Sequence, residues 1–156
     1  MGFLDNIKAM KNAVTGGAAK VYLDADKLSF DQPFIVTVRA QTSDAPVKIN
    51  RVYLQVKGFE EIQVNDVDVI YDNDGDAHQR AENVRASHNT LNLEITVAEA
   101  QELEANQSYQ WQAEVELPSS AQAIFKGRFC SHTYRAFAGL DCFGNDPDSG
   151  WIELND

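Results

Sequence analysis

From residue 18 onward, apolar and polar positions alternate along much of the chain, with the period of two that is typical of half-buried β-strands. In the stretch YQWQAEVELP, for example, Tyr109, Trp111 and Val115 alternate with glutamine and glutamate until Pro118. One face of such a strand packs in a core and the other faces water. The pattern predicts about eight strands, at residues 20–24, 34–41, 50–59, 62–71, 90–97, 109–117, 124–140 and 149–154.

Turn-forming stretches separate these predicted strands, among them DADKLSFDQP, TSDAP, NDGD and GNDPDSG. Strands at this spacing predict an all-β fold, an immunoglobulin-like β-sandwich in which two sheets close over one core. Gly127 and Gly139 lie inside the longest predicted strand and indicate a bulge or a bend there. The segment TVAEAQELEAN is less clear: Thr96 and Glu99 have capping-box spacing, so residues 98–104 form either a turn or two of helix or a loop.

Residues 1–16 have a different period. Their apolar side chains recur at helical spacing, which predicts a short amphipathic helix ahead of a sandwich domain at residues 18–156. Such a helix packs on its own domain, on a neighbouring subunit, or on a lipid surface through the flanking Lys8 and Lys11. The helix is short and its charge is small, so a protein contact is favoured over peripheral membrane contact. The predicted partner-binding residues are Phe3, Leu4, Ile7 and Met10.

Charge narrows the range of partners. The 156 residues include 24 acidic and 13 basic side chains, giving a formal net charge of −11. This balance repels phosphate backbones, so nucleic acid is not expected as a partner. No run approaches the roughly 20 apolar residues of a membrane-spanning helix, and the start lacks the features of a secretory signal, so a cytoplasmic location is expected.

The stretch YDNDGDA resembles the start of a calcium-binding loop. Counted from Asp72, Asp74 and Asp76 take ligand positions, but Ala77 stands where glycine is required and Asn83 where a bidentate glutamate is required. An EF-hand is therefore excluded, and a hairpin turn is the favoured interpretation. A looser divalent-cation or small-ligand site in the acidic loop at residues 66–76 remains the alternative, with Asp72, Asp74 and Asp76 as its ligands.

Nothing in the sequence indicates catalysis. Cys130 and His132 lie two apart on one predicted strand and so share a face, but no orienting third group or oxyanion site accompanies them. Phosphate-binding glycine loops and zinc-binding spacings are absent from the sequence. Cys130 and Cys142 are about 40 Å apart if extended, too far to pair. We therefore expect a protein that is not an enzyme and that uses no cofactor.

The order of these elements resembles that of a known family. A strand of alternating apolar residues ends in Leu117-Pro118, small residues follow at Ser119-Ser120, and a long strand then carries Tyr134, Ala136, Ala138 and Leu140 at alternate positions. The stretch AAKVYLDADKLSFDQPFIVTVRAQTSDAPVKINRVYLQVKGFEE also fits. Together they resemble the arrestin-like domain family. The prefix GFLDNIKAM makes the sequence most similar to the bacterial sporulation-control proteins within that family.

The resemblance implies a non-enzymatic protein-interaction or regulatory scaffold domain, which engages protein partners through its loops and sheet edges. Proteins of this family commonly pair two sandwiches, whereas this sequence has room for one. A homodimer is one way to replace the second lobe, through pairing of edge strands or through the N-terminal helix.

Overall fold

Ten β-strands make up the regular structure of residues 15–156, which are the residues that the computed structural model describes. All strand pairs are antiparallel. The strands are β1 (Thr15–Gly16), β2 (Ala19–Ala25), β3 (Phe34–Thr42), β4 (Val47–Tyr71), β5 (Ala77–Ala98), β6 (Gln101–Leu103), β7 (Ser108–Val115), β8 (Phe125–Lys126), β9 (Cys130–Cys142) and β10 (Ile152–Leu154).

The strands form two sheets. One has four strands in the order β1-β2-β3-β7. The other has six, with the order β10-β9-β4-β5, while β6 pairs with β4 and β8 pairs with β9. The inward positions of both sheets contribute to one core cluster that includes Val36, Val38, Leu54, Val56 and Tyr134. The β-sandwich predicted from the alternation is therefore confirmed.

The alternation also predicts which side chains are buried. Along β3, Phe34, Val36, Val38 and Ala40 are buried and the residues between them are only partly so. Burying these apolar faces supplies the main driving force for joining the two sheets.

Two local predictions need correction. The helical turn considered at residues 98–104 is wrong, because Gln101–Leu103 is a strand that pairs with Val47–Ile49 and buries Leu103 completely. Burial and strand pairing outweigh the weak helix propensity of this segment. The single strand predicted at residues 124–140 is two strands, β8 and β9. The chain turns between them at Gly127, whose N–H donates to the Cys130 carbonyl at 2.8 Å.

The predicted amphipathic helix, with Phe3, Leu4, Ile7 and Met10, lies outside the described residues. Thr15 and Gly16, the last two residues of that predicted segment, form a short strand against β2. Both cysteines are free thiols, as their spacing predicts. Within residues 15–156 no helix is long and apolar enough to cross a membrane.

Candidate functional site: a two-stranded arm

Strands β4 and β5 continue together well beyond the rest of their sheet. The neighbouring strand β9 begins at Cys130, opposite Ile62, and beyond this point β4 and β5 pair only with each other. We call the paired segments Gln63–Tyr71 and Ala77–Arg85, with the turn between them, the arm. At about 3.3 Å per residue the arm is roughly 30 Å long. Every residue from 65 to 89 is exposed.

The turn at the tip of the arm is built by Asp72. One oxygen of its carboxylate accepts hydrogen bonds from the backbone N–H of Asp74 at 3.0 Å and of Asp76 at 2.9 Å. Gly75 has φ 87°, a conformation that glycine adopts without steric cost. The hairpin turn favoured by the sequence is therefore present.

The other carboxylate oxygen of Asp72 lies 2.9 Å from His78 Nε2. The hydrogen bond from His78, followed by that from the Asp76 N–H, lowers the pKa of the Asp72 carboxyl. Within residues 15–156 no group of three or more His, Cys, Asp or Glu side chains is arranged to hold a metal ion. The cation site at residues 66–76 gains no support from this geometry and stays a prediction, which a thermal melt with and without calcium tests.

Replacing Asp72 with alanine is expected to loosen the tip and leave the sandwich intact. The amide protons of Asp74 and Asp76 lose their acceptor, so their hydrogen exchange measured by NMR accelerates. In the unsubstituted chain, the lowered pKa of Asp72 determines how the protection of these two amides depends on pH. Protection of the two amides is present above the unfolded-state pKa of about 3.9 and is lost as the pH falls through the lower folded-state pKa. Asp74→Ala is the control, and equal acceleration in that variant would contradict this role for Asp72.

The two faces of the arm differ in charge. Residues directly opposite each other in an antiparallel pair lie on the same face, and the pairing is unbroken from Phe59 with Asn89 to Tyr71 with Ala77. One face carries no acidic residue, and we call it the carboxylate-free face. It consists of Gln63, Asn65, Val67, Val69, Tyr71, Ala77, Gln79, Ala81, Asn83 and Arg85. The opposite, acidic face consists of Val64, Asp66, Asp68, Ile70, His78, Arg80, Glu82 and Val84.

The acidic face contains an unrelieved repulsion. Asp68 lies opposite Arg80, but Asp66 lies directly opposite Glu82. Like charges in this position are destabilising. The ion pairs found in residues 15–156 include neither Asp66 nor Glu82. The arm therefore carries a local excess of negative charge on one face only.

Apolar side chains on the arm are exposed to an unusual degree. Val67, Val69 and Tyr71 are 56%, 53% and 70% exposed on the carboxylate-free face. An isolated two-stranded hairpin is marginally stable in water, because it has no layer to bury its faces against. A second layer packed on this face would bury these side chains.

Both edges of the arm are open. The last hydrogen bond that β4 makes to the neighbouring loop runs from the Gln63 N–H to the Phe129 carbonyl at 2.7 Å. Strand β5 is the outermost strand of its sheet along its whole length. Exposed edges are commonly protected by charged side chains, above all lysine, by proline or by bulges. On this edge the charged side chains are Arg80, Glu82 and Arg85. Residues 77–87 contain neither proline nor lysine, and the irregularities in the β4–β5 pairing lie elsewhere.

The base of the arm is fixed by a buried polar group of side chains. Thr90 Oγ1 lies 2.6 Å from His132 Nε2, and His132 Nδ1 lies 3.0 Å from the Ala123 carbonyl oxygen. A carbonyl only accepts, so Nδ1 carries the hydrogen, while Nε2 shares a hydrogen bond with the Thr90 hydroxyl. Both nitrogens are engaged, and neither is free to act as a base for Cys130.

Tyr134 completes this group. Its hydroxyl donates to the Gln122 carbonyl at 2.6 Å, and its ring meets the His132 ring edge-on at 4.9 Å between centroids. Burial raises the pKa of the Tyr134 phenol. Gly58 faces the same cluster, and a bulge in the β4–β5 pairing lies beside it. The group ties the loop after β7 to the end of the sandwich where the arm leaves.

An open groove of about 700 Å³ lies beside the base of the arm. It is lined by polar groups of Glu61, Gln63 and Asn65 on one side and by residues 127–131 on the other. Phe129, at its rim, is 53% exposed. The groove extends the exposed surface of the arm toward the turn between β8 and β9.

The outer face of the six-stranded sheet carries aromatic rings covered by cations. Lys57 Nζ lies 5.0 Å from the centre of the Trp151 ring, and the Arg135 guanidinium lies 5.2 Å from that of Phe59. Tyr53 donates to Asp146 at 3.2 Å, and burial together with this carboxylate raises the pKa of Tyr53 to about 12. Each of these cations and the Tyr53 hydroxyl has a partner within the domain. Their arrangement does not point to catalysis.

The first strand of the arm and the turn at its tip were predicted from the sequence, but the second strand was missed, because residues 77–89 were not predicted as a strand. A signal was present in the other strand. Ile62 and Val64 occupy even positions, whereas Val67, Val69 and Tyr71 occupy odd ones. With Ile70 again at an even position, the apolar residues of this stretch do not keep to one face, which is incompatible with one face packed on a core throughout.

Comparison with known proteins finds a similar fold among solved structures. A scan against models of protein families finds no match, and a search of curated proteins finds none either. Among solved structures the chain is similar to Spo0M, a sporulation control protein from Bacillus subtilis, with a TM-score of 0.58 and 18% sequence identity. The match covers 90% of this chain and 49% of that one, so the chain spans about half the length of its structural neighbour. The arrestin-like sandwich expected from the resemblance to sporulation-control proteins is confirmed at the level of the fold.

Proposed function

We propose that this chain is a non-enzymatic protein-interaction domain of a cytoplasmic regulator, and that the arm is its binding surface. The observation that carries the proposal is the arm itself. It extends roughly 30 Å from the sandwich, and exposed valines and a tyrosine lie along one of its faces. Its backbone edges are open, and strand edges of this kind are recognised by adding a further strand.

The catalytic alternative has less in its favour. The His132 nitrogens are held by Thr90 and by the Ala123 carbonyl. Burial and the carboxylates of Asp146 and Asp141 raise the pKa of the Cys142 thiol, which favours the unreactive protonated form. Similarity to a sporulation control protein agrees with a regulatory role, which we extend to this chain as part of the proposal. The N-terminal segment, with Phe3, Leu4, Ile7 and Met10, is proposed as a second contact for partners.

The proposal is tested by shortening the arm. Residues 64–84 are replaced by Asn-Gly, which joins Gln63 to Arg85 through a two-residue turn, because these two residues are directly opposite each other. The sandwich core lies outside the deleted segment, so the melting temperature is expected to stay within a few degrees of that of the full chain. Affinity capture from a bacterial lysate should then retain partner proteins on the full chain and lose them on the shortened one.

A second variant that lacks residues 1–16 separates the two proposed contacts. If the arm is the main surface, this variant retains the partners that the arm-shortened chain loses. Equal capture by the full and the arm-shortened chains would overturn the assignment of binding to the arm.

A further inference from the structure

We propose that one partner of the arm is a second copy of this chain, bound by antiparallel pairing of the two β5 edges with Ala81 at the symmetry axis. This inference rests on the proposed function, since it takes the arm as the binding surface. It adds the identity of the partner and the register of the contact.

The sequence of β5 is complementary to itself in this register. When two identical strands pair about a two-fold axis, each residue meets the one equally far from the axis on the other side. With Ala81 at the axis, Arg80 lies opposite Glu82 of the second copy, and Glu82 lies opposite Arg80 of the second copy. Gln79 lies opposite Asn83 of the second copy, so two amides meet on the carboxylate-free face. Opposite charges and amides in directly opposed positions stabilise a sheet.

Neighbouring registers lack this complementarity. An axis at Arg80 or at Glu82 sets that residue against its own copy, so like charges meet. An axis at Gln79 sets His78 against Arg80, and an axis at Asn83 sets Glu82 against Val84 with no charge pair. Among the registers centred on residues 79–83, only the one at Ala81 forms opposite-charge pairs.

Pairing in this register also relieves the repulsion within each arm. Glu82 lies beside Asp66 of its own arm and gains Arg80 of the second copy on its other side. On the carboxylate-free face, Val67 lies beside Ala81 within each copy. The two Ala81 residues then meet at the axis, so the four side chains form one row. The two arms therefore form one four-stranded sheet with an uninterrupted apolar row across the axis.

The geometry leaves room for both sandwiches. In the proposed register, Ala77 near the tip of one arm lies opposite Arg85 at the base of the other. The strands overlap over the length of the arm, and the two sandwiches lie at opposite ends of the shared sheet. The contact does not involve β7 or the core.

The test is a charge exchange measured by sedimentation velocity on the full chain. The unsubstituted chain is expected to dimerise. Arg80→Glu sets two glutamates opposite each other at both symmetric contacts, and Glu82→Arg sets two arginines there. Each single variant should raise the dimer dissociation constant at least about tenfold, because two favourable pairs become two unfavourable ones.

The double variant Arg80→Glu with Glu82→Arg restores opposite charges and is expected to dimerise again. An equimolar mixture of the two single variants should form a heterodimer for the same reason. This recovery separates a loss of pairing from a loss of folding. A monomeric unsubstituted chain, or a dimer that both single variants leave unchanged, would overturn the inference. Capture of other proteins through the arm by a monomeric chain would overturn it while leaving the proposed function intact.

Discussion

Replacing Tyr134 with alanine is expected to lower the free energy of unfolding by about 3–5 kcal/mol, the range for deleting a large aromatic side chain from a core. Tyr134 is completely buried, and its ring packs edge-on against Phe30 and His132. The substitution removes these contacts together with the hydrogen bond to the Gln122 carbonyl. Urea unfolding followed by circular dichroism measures the change.

Tyr134→Phe is the matched control. It keeps the ring contacts and removes only the hydroxyl, so the expected loss is about 1 kcal/mol, the net contribution of one hydrogen bond. Comparing the loss of unfolding free energy in the two variants shows whether packing of the ring or the hydrogen bond to Gln122 contributes more to stability at this end of the sandwich. Equal losses in both variants would show that packing of the ring contributes little.

Gly58→Ala is expected to destabilise the chain by about 1–3 kcal/mol, the usual cost of overpacking a core. A Cβ at this position would lie 2.5 Å from Thr90 Oγ1, 3.1 Å from Cε1 of Tyr134 and 3.2 Å from the Leu91 Cβ. Thr90 has to move, and its hydrogen bond to His132 is then strained or lost. The same urea titration measures this change, and the effect should reach the arm because Gly58 lies at its base.

Gly17→Ala is the control for this substitution. A Cβ at Gly17 would have no neighbour within 4 Å, so the free energy of unfolding should change by less than about 0.5 kcal/mol. If Gly58→Ala is as mild as Gly17→Ala, then the close packing of Thr90 and Tyr134 on Gly58 is not what orders this end of the sandwich.

The sandwich was predictable from the sequence because central strands such as β3 bury one face and leave the other partly exposed. Val36 and Val38, for example, are apolar at alternate positions, and both are completely buried. The tip was predictable for a different reason, since Asn73-Asp74-Gly75 has its own turn chemistry. In both cases the local pattern and the tertiary structure favour the same conformation.

The second strand of the arm was not predictable in this way. Residues 77–89 bury no face, so their side chains have no reason to alternate between apolar and polar. Their extended conformation comes from hydrogen bonding to β4, which is information about a partner strand and not about local sequence. Strand β6 illustrates the same limit, since pairing with Val47–Ile49 overrides a helix-forming composition.

The acidic turn at the tip shows why the spacing of carboxylates alone is ambiguous. Asp72, Asp74 and Asp76 have the spacing of metal ligands, yet in the folded chain both Asp72 oxygens accept hydrogen bonds from within the hairpin. The spacing of carboxylates identifies a turn as readily as a metal site. The cation site at residues 66–76 therefore stays a prediction, and the calcium melt tests it.

The dimer formed through the arm is tested most directly by the mass of the full and the arm-shortened chains, measured side by side by sedimentation equilibrium. The full chain is expected to have twice the chain mass of 17.3 kDa. The arm-shortened chain is expected to have the mass of a single chain, with the sandwich still folded. A dimer that persists after the arm is shortened, or a full chain that sediments as a monomer, would rule out the dimer formed through the arm.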